Sequence, residues 1–168
     1  GALSESADTA PQGVYARTKR DAELAVPSLD RDVLVVRAFH HTGPGQSPQY
    51  VLSDWAAQIR DGARTVAVGD LSLRRDFTDV RDIVAGYALL VERGVTGQVY
   101  NLGSGHSIPL RTFFDWLTVG TTCSPISDAA RFRSKDIAEV RSDPSKAEAL
   151  GWRRTHDLKN TLAEMVRA

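Results

Sequence analysis

The sequence is poor in the features that mark secreted, membrane and nucleic-acid-binding proteins. Cys123 is the single cysteine among 168 residues, which excludes an internal disulfide and a cysteine-cluster metal site. No apolar run reaches the length of a membrane-spanning helix, and the first residues lack the charged start and apolar centre of a targeting peptide. The 21 basic and 21 acidic residues balance, so the overall charge indicates no nucleic acid as a partner. These absences predict a cytoplasmic globular protein without a membrane partner or a metal centre.

The sequence also lacks the usual beginning of a protein. It starts with Gly1, and its first 12 residues, GALSESADTAPQ, have the composition of an internal loop. This start predicts that the sequence is part of a larger protein.

Strand and helix patterns alternate along the remainder of the chain. Strands are predicted at residues 33–37, 65–69 and 99–103, and helices at 15–26, 50–62, 110–117, 158–167 and from about Val80 onward. The helix after Val80 carries apolar residues at helical spacing, namely Ile83, Val84, Tyr87, Leu90 and Val91. HHTGPGQSPQ, at 40–49, is predicted to be a loop because of its glycines and prolines.

This alternation favours an α/β architecture with right-handed crossovers between parallel strands. Only VLVVR at 33–37 and VYNLG at 99–103 have the apolar composition of central strands that are buried on both faces. Two such strands cannot bury each other's edges, so a further strand partner is expected outside this sequence.

Tyr15 and Lys19 form the first candidate site. Residues four apart on a helix share one face, and a nearby ammonium favours the ionised form of a phenol. Such a tyrosine can give a proton to the alkoxide that forms when hydride reaches a ketone. The lysine can also donate hydrogen bonds to the ribose hydroxyls of a nicotinamide cofactor. The alternative is an ordinary helix surface with an extended lysine, and the spacing alone leaves both open.

The surrounding segments resemble a known family. PQGVYARTKRDAEL, RAFHHTGPGQSPQYVLSDWAAQI, VAVGDLSLRRDFTDVRDIVAGY, VYNLGSG, RFRSKD and DPSKAEALGW occur in this order. Together they resemble the extended short-chain dehydrogenase/reductases, the NAD-dependent epimerase/dehydratase family. The resemblance implies the C-terminal part of a Rossmann-type doubly wound parallel sheet. It also implies a smaller α/β substrate-binding domain formed by segments at about 43–80 and 104–168.

The resemblance also implies roles for individual residues. Tyr15 would be the catalytic acid/base and Lys19 its partner, and both would contact the cofactor, NADP or NAD. Arg75 lies where the family has an arginine that binds the sugar-nucleotide diphosphate, for which a guanidinium is suited in geometry and charge. Arg133 and Asp136 match a segment that contacts the nucleotide diphosphate and ribose.

Four positions depart from the family pattern or leave the role open. Val14 stands where the family usually has a proline before the tyrosine, a small change that leaves the roles of the tyrosine and the lysine intact. His40 stands where the family normally has an asparagine that hydrogen-bonds the substrate, and an imidazole can both donate and accept a hydrogen bond. Ser134 replaces a proline after Arg133. Gln46 is a candidate contact for the sugar or the base, with a solvated turn as the alternative.

Two parts of the family's machinery do not occur in the 168 residues. There is no G-x-x-G-x-x-G turn to hold the dinucleotide pyrophosphate, and the family's catalytic serine or threonine is expected before Gly1. The N-terminal dinucleotide-binding half is therefore expected to lie outside this sequence, and the isolated chain is expected to be inactive.

The resemblance implies a nucleotide-sugar oxidoreductase, most specifically one that reduces the 4-keto group of GDP-4-dehydro-6-deoxy-D-mannose with NADPH or NADH. Three enzymes of the same family remain as alternatives: a 4,6-dehydratase, an epimerase or a dTDP-ketosugar reductase. A non-catalytic remnant that binds nucleotide sugars is a further alternative. The resemblance also allows a homodimer of the full-length protein, since family members often dimerise through the helix that bears the tyrosine and the helix before it.

Overall fold

The computed structural model describes residues 1–29, 31–132 and 136–168. The helices in this part of the chain are α1 (Gly13–Ala25), α2 (Val51–Arg60), α3 (Val80–Arg93), α4 (Leu110–Leu117), α5 (Ser145–Ala149) and α6 (Leu158–Arg167). The strands are β1 (Val35–Ala38), β2 (His40–Thr42), β3 (Thr65–Val68), β4 (Arg74–Arg75), β5 (Phe77–Asp79), β6 (Val99–Leu102), β7 (Ile108–Pro109) and β8 (Ser124–Ser127). Short 3-10 turns follow α1 at Val26–Ser28 and β8 at Ala129–Arg131.

Parallel strand pairs form the framework of the fold. β1 pairs with β6 in parallel, and one residue later β2 pairs with β5 in parallel. Phe39 joins β1 and β2, and its backbone N–H donates to the Leu102 carbonyl at 2.8 Å. β3 pairs with β8 in parallel, while β4 and β7 form a short antiparallel pair. These pairings confirm the predicted α/β class with parallel strands.

One hydrophobic core lies among α2, α4, α6 and β3. The apolar residues of α2 recur at helical spacing, which aims Leu52, Trp55 and Ile59 into this core. Trp55 meets the ring of Phe114 edge-on, with the centroids 5.4 Å apart. Gly62 has φ +83° and ends the segment after α2, as its position in the sequence predicts.

A second core lies between α3 and β6. It contains Ile83, Leu90, Tyr100, Leu102, Ala147 and Trp152. Gly86 permits this close packing, because a Cβ there would lie 2.7 Å from Leu102 Cδ1. The predicted apolar face of α3 is buried only in part, because Ile83 and Leu90 lie in this core whereas the side chains of Val84, Tyr87 and Val91 are exposed.

Two expectations about strands need correction. Residues 40–42 are not part of the loop but form β2, because they pair with residues 77–79 of β5. β1 is half-buried throughout rather than buried on both faces. The helix before it, α1, has no buried residue, whereas Tyr100, Asn101 and Leu102 of β6 are buried.

None of the described helices has the length and apolar character needed to cross a bilayer. Residues 1–29, 31–132 and 136–168 contain no group of three or more His, Cys, Asp or Glu side chains placed to hold a metal ion.

Candidate active site

A cleft of about 1310 Å³ is lined by residues from both the strands and the helices. Its walls come from α1, the β1–β2 segment, the start of α2, the residues that follow β3, the strands β4 and β5, and residues near 130 and 136. Four of the residues expected from the sequence to form the site line this cleft together with Tyr15: His40, Gln46, Arg75 and Asp136. The fold thus brings together residues that are up to 121 positions apart in the sequence.

Tyr15 lies on α1 and has 75% of its surface exposed, at one side of the cleft. Lys19 is one helical turn further along, and its Nζ lies 5.6 Å from the centroid of the Tyr15 ring. The two side chains therefore share one face of the helix, as their spacing predicts. An ammonium at this distance from an aromatic face is attracted to it.

An ion pair fixes α1 to the sheet behind it. Arg37 of β1 donates from Nε to Glu23 Oε2 at 3.0 Å and from Nη2 to Glu23 Oε1 at 2.5 Å. The hydrogen bond from Arg37 holds the pKa of Glu23 below its ordinary value, against the opposing effect of burial. A paired fork of this kind restrains both position and orientation, so it sets where α1 presents Tyr15.

Arg75 is buried, with 9% of its surface exposed, although it lines the cleft. Its Nη2 donates to Asp136 Oδ1 at 2.7 Å, and its Nη1 donates to the carbonyls of Arg74 and Ile137 at 2.9 and 2.7 Å. The structure therefore joins Arg75 and Asp136, two candidates 61 residues apart, in one ion pair. A guanidinium held this way is oriented before any ligand arrives.

The neighbouring carboxylate of Asp76 is fully buried and anchors this region. It accepts hydrogen bonds from the backbone N–H of Ser104 at 2.7 Å and of Gly105 at 3.1 Å. It also accepts from the N–H of Ser142 at 2.8 Å and from its hydroxyl at 2.6 Å. Asp76 was not singled out in the sequence, because its partners lie 28 to 66 residues away.

His40 lies on β2, and its ring packs against Phe77 with the centroids 5.2 Å apart. Part of the residue is exposed, but burial of the ring in the cleft, followed by the charge of Arg75, lowers the pKa of His40. The adjacent His41 is half-buried, and its Nδ1 is 2.9 Å from the Phe39 carbonyl. The two histidines are therefore in different environments, and His40 is the one beside Arg75.

Gln46 uses its amide within the loop after β2. It accepts from the Thr42 hydroxyl at 2.7 Å and donates to the His41 carbonyl at 3.1 Å. Gln46 also lines the cleft, so it braces the segment that carries His40 and His41. Arg133, another candidate, lies outside the described residues.

Among the polar residues of the cleft that sequence reasoning did not identify are Tyr50, Asp54 and Arg131. Tyr50 and Asp54 are one turn apart at the start of α2, a spacing visible in the sequence. Arg131 is 77 residues after Asp54 and bonds to it at 2.8 Å. No local pattern predicts that pair.

The parallel strands and the Tyr15–Lys19 helix have counterparts in known proteins. Residues 2–103 match the NAD dependent epimerase/dehydratase family. The chain belongs to this family. The family is NAD(P)-dependent, and the relatives of this chain include reductases, dehydratases and epimerases of nucleotide sugars. Membership confirms the resemblance and the Rossmann-type α/β fold predicted from the sequence.

Individual relatives show how far the similarity extends. GDP-6-deoxy-D-mannose reductase of Pseudomonas aeruginosa is 33% identical over 142 residues, which cover 80% of this chain and 47% of that protein. A dTDP-glucose 4,6-dehydratase of an Actinoplanes species is 29% identical over 172 residues, which cover 99% of this chain and 54% of that protein. The structure of RMD from Pseudomonas aeruginosa complexed with NADPH superposes with a TM-score of 0.87 at 29% identity, covering 97% of this chain and 58% of that one. The chain thus spans about half the length of the curated relatives that it matches.

Proposed function

We propose that this chain provides the proton donor and part of the substrate pocket of a nucleotide-sugar oxidoreductase. The reaction that we propose is reduction of the 4-keto group of GDP-4-dehydro-6-deoxy-D-mannose. The observation that carries the proposal is that Tyr15, with Lys19 beside its ring, lines the same cleft as the ion-paired Arg75. The 33% identity to a GDP-6-deoxy-D-mannose reductase supports the choice of substrate.

Tyr15 and Lys19 fit the nicotinamide end of an NADPH or NADH cofactor. Both side chains are exposed, and together they offer a phenol and an ammonium, which are donors for ribose hydroxyls. When bound, the cofactor would supply the hydride. The Tyr15 hydroxyl would give its proton to the oxygen of the reduced carbonyl, and Lys19 would favour the phenolate that remains.

Arg75 and Asp136 would hold the nucleotide part of the substrate. The guanidinium of Arg75 is fixed by two backbone carbonyls, so an anion at the cleft meets a charge that is already oriented. Asp136 neutralises Arg75 before the ligand binds and can then accept hydrogen bonds from ribose hydroxyls. We assign His40 and Gln46 to the same wall, with His40 in the position nearer Arg75.

The test is a product assay with the protein expressed from the complete gene. We expect GDP-4-dehydro-6-deoxy-D-mannose to be converted to the 6-deoxy sugar with one NADPH or NADH oxidised for each product molecule. As the comparison substrate, dTDP-4-dehydro-6-deoxy-D-glucose should react poorly. Turnover of the dTDP sugar alone would overturn the proposal. So would loss of water or epimerisation without net cofactor oxidation.

The environment of His40 predicts that nucleotide-sugar binding depends on pH. In the free protein, burial and Arg75 keep the pKa of His40 below its ordinary 6.5, so the ring is mostly neutral at pH 7. A bound diphosphate raises the pKa, so binding takes up a proton and affinity increases as the pH falls. We expect roughly a tenfold gain for each unit by which the ligand raises the pKa, levelling off below the pKa of the free protein.

This pH dependence can be measured by titration calorimetry with GDP-mannose, which has no phosphate monoester that titrates near neutral pH. His40→Asn should bind with an affinity that is nearly independent of pH between about pH 5.5 and 8. His41→Asn is the matched control and should keep the dependence of the parent protein. An unchanged slope in His40→Asn would show that another group takes up the proton.

A further inference from the structure

A second group of polar side chains lines the cleft where α2 begins. Tyr50 precedes α2 and has 59% of its surface exposed, although it belongs to the cleft wall. Asp54 follows one turn later, and its Oδ2 accepts a hydrogen bond from Arg131 Nη1 at 2.8 Å. This group of Tyr50, Asp54 and Arg131 combines an aromatic face, a carboxylate and a guanidinium.

The backbone around the group is held in place from both sides. Asp54 N–H donates to the Tyr50 carbonyl at 2.8 Å, and the Ser53 hydroxyl donates to the same carbonyl at 3.0 Å. On the other side, the 3-10 turn that contains Arg131 lies directly against the end of β3. A Cβ at Gly69 would lie only 2.7 Å from the Arg131 carbonyl oxygen. The group therefore belongs to an ordered wall and not to a loose surface.

Asp54 retains capacity for further hydrogen bonds. Its Oδ1 accepts from Gln58 Nε2 at 3.0 Å and its Oδ2 accepts from Arg131. An ionised carboxylate has about four acceptor positions, so Asp54 can accept from a ligand while it keeps both partners. Its side chain is 23% exposed and that of Arg131 is 40% exposed, so both are accessible from the cleft.

We infer that Tyr50, Asp54 and Arg131 bind the base of the nucleotide sugar and select guanine. This inference rests on the proposed function, because it assumes that the cleft holds a nucleotide. The Tyr50 ring offers a stacking surface that every base can use. Arg131 can donate to the guanine O6, and Asp54 can accept from the adjacent N1–H and 2-amino group.

The selection follows from the edge that each base presents. Guanine places two donors side by side, which match the two oxygens of one carboxylate. Uracil and thymine place a carbonyl where guanine has its amino group, so the carboxylate of Asp54 would face a second acceptor. A buried polar group left without a partner costs more than a hydrogen bond gains, so the pyrimidines should be rejected.

Binding constants for a matched set of ligands test the inference. Titration calorimetry would use GDP, IDP, UDP and inorganic pyrophosphate with the protein expressed from the complete gene. IDP lacks only the 2-amino group, so we expect it to bind at least about tenfold more weakly than GDP. UDP should be weaker still, while pyrophosphate reports on the diphosphate part alone.

Two variants connect these preferences to the named residues. Asp54→Asn should reduce the preference of GDP over IDP to within about twofold and leave pyrophosphate binding unchanged. Tyr50→Ala should weaken GDP, IDP and UDP alike by roughly tenfold, without affecting pyrophosphate. Tyr87→Ala is the matched control, since Tyr87 is also an exposed tyrosine, at 45%, but lies on α3 outside the lining of the cleft.

The possible failures can be told apart. Equal binding of GDP, IDP and UDP by the parent protein would overturn the inference and leave the proposed function standing. An Asp54→Asn variant that loses GDP and IDP affinity equally would also overturn it, because Asp54 would then act only on the structure. Absence of binding by every nucleotide and by pyrophosphate would instead contradict the proposed function.

Discussion

Replacing Tyr15 by phenylalanine should lower kcat of the complete enzyme by at least about 100-fold, the usual contribution of a positioned general acid. The change removes one hydroxyl. It keeps the ring and therefore the contact with Lys19 Nζ, 5.6 Å from the ring centroid. The substrate contacts that we propose lie on the other wall of the cleft, so KM should change little. The variant would lose the proton donor but keep the substrate pocket.

The measurement is steady-state NADPH oxidation with the GDP-ketosugar at saturating concentrations. Tyr87→Phe supplies the matched control, because it makes the same chemical change on the exposed face of α3. A kcat within about threefold of the parent value in Tyr15→Phe would remove Tyr15 from the chemistry. A large increase in KM with an unchanged kcat would assign Tyr15 to binding alone.

Replacing Asp76 by alanine should cause the largest loss of stability. The carboxylate is fully buried and receives three backbone N–H groups and one hydroxyl, from Ser104, Gly105 and Ser142. Alanine would leave these donors without an acceptor in the interior, and each buried unsatisfied donor costs about 1–3 kcal/mol. We expect the free energy of unfolding to fall by at least about 3 kcal/mol.

Urea unfolding monitored by tryptophan fluorescence gives this free energy. Asp61→Ala is the control, since its side chain is 76% exposed, and it should stay within about 0.5 kcal/mol of the parent protein. A loss below about 1 kcal/mol in Asp76→Ala would show that the structure rearranges to satisfy the donors.

The Asp76 variant should also weaken nucleotide binding. Asp76 fixes the backbone between Arg75 and Phe77, and Phe77 in turn packs against His40. Asp76 also ties residue 142 to this strand segment, a few residues after Ile137, which accepts from Arg75. Loss of the carboxylate would therefore loosen the support of the guanidinium.

The local elements of the fold could be predicted from the sequence, because short-range patterns determine them. LRTFFDWL at 110–117 forms α4 with the predicted limits, and the last helix covers Leu158–Arg167 as predicted. β2 was missed because His40, His41 and Thr42 lack an apolar alternation. Their strand geometry comes from pairing with β5, 37 residues further along the chain.

The candidate site likewise has one part that local spacing predicts and another that only the fold brings together. Tyr15 and Lys19 lie within one helix, so their spacing places them together whatever the rest of the chain does. Arg75 and Asp136 were assigned from a resemblance, but no spacing rule indicates that they form an ion pair. That pair requires β4 and the segment at 137–140 to run side by side in parallel.

By itself the sequence determined the α/β class, the family and the pairing of a phenol with an ammonium on one helix, because each of these depends on nearby residues or on motifs read in order. Only the tertiary structure decided that Asp76 anchors two distant backbone segments, at 104–105 and at 142, and that Arg131 meets Asp54 across 77 residues. Such contacts depend on how strands and helices pack in space, and burial gives them their strength, so no stretch of sequence contains them.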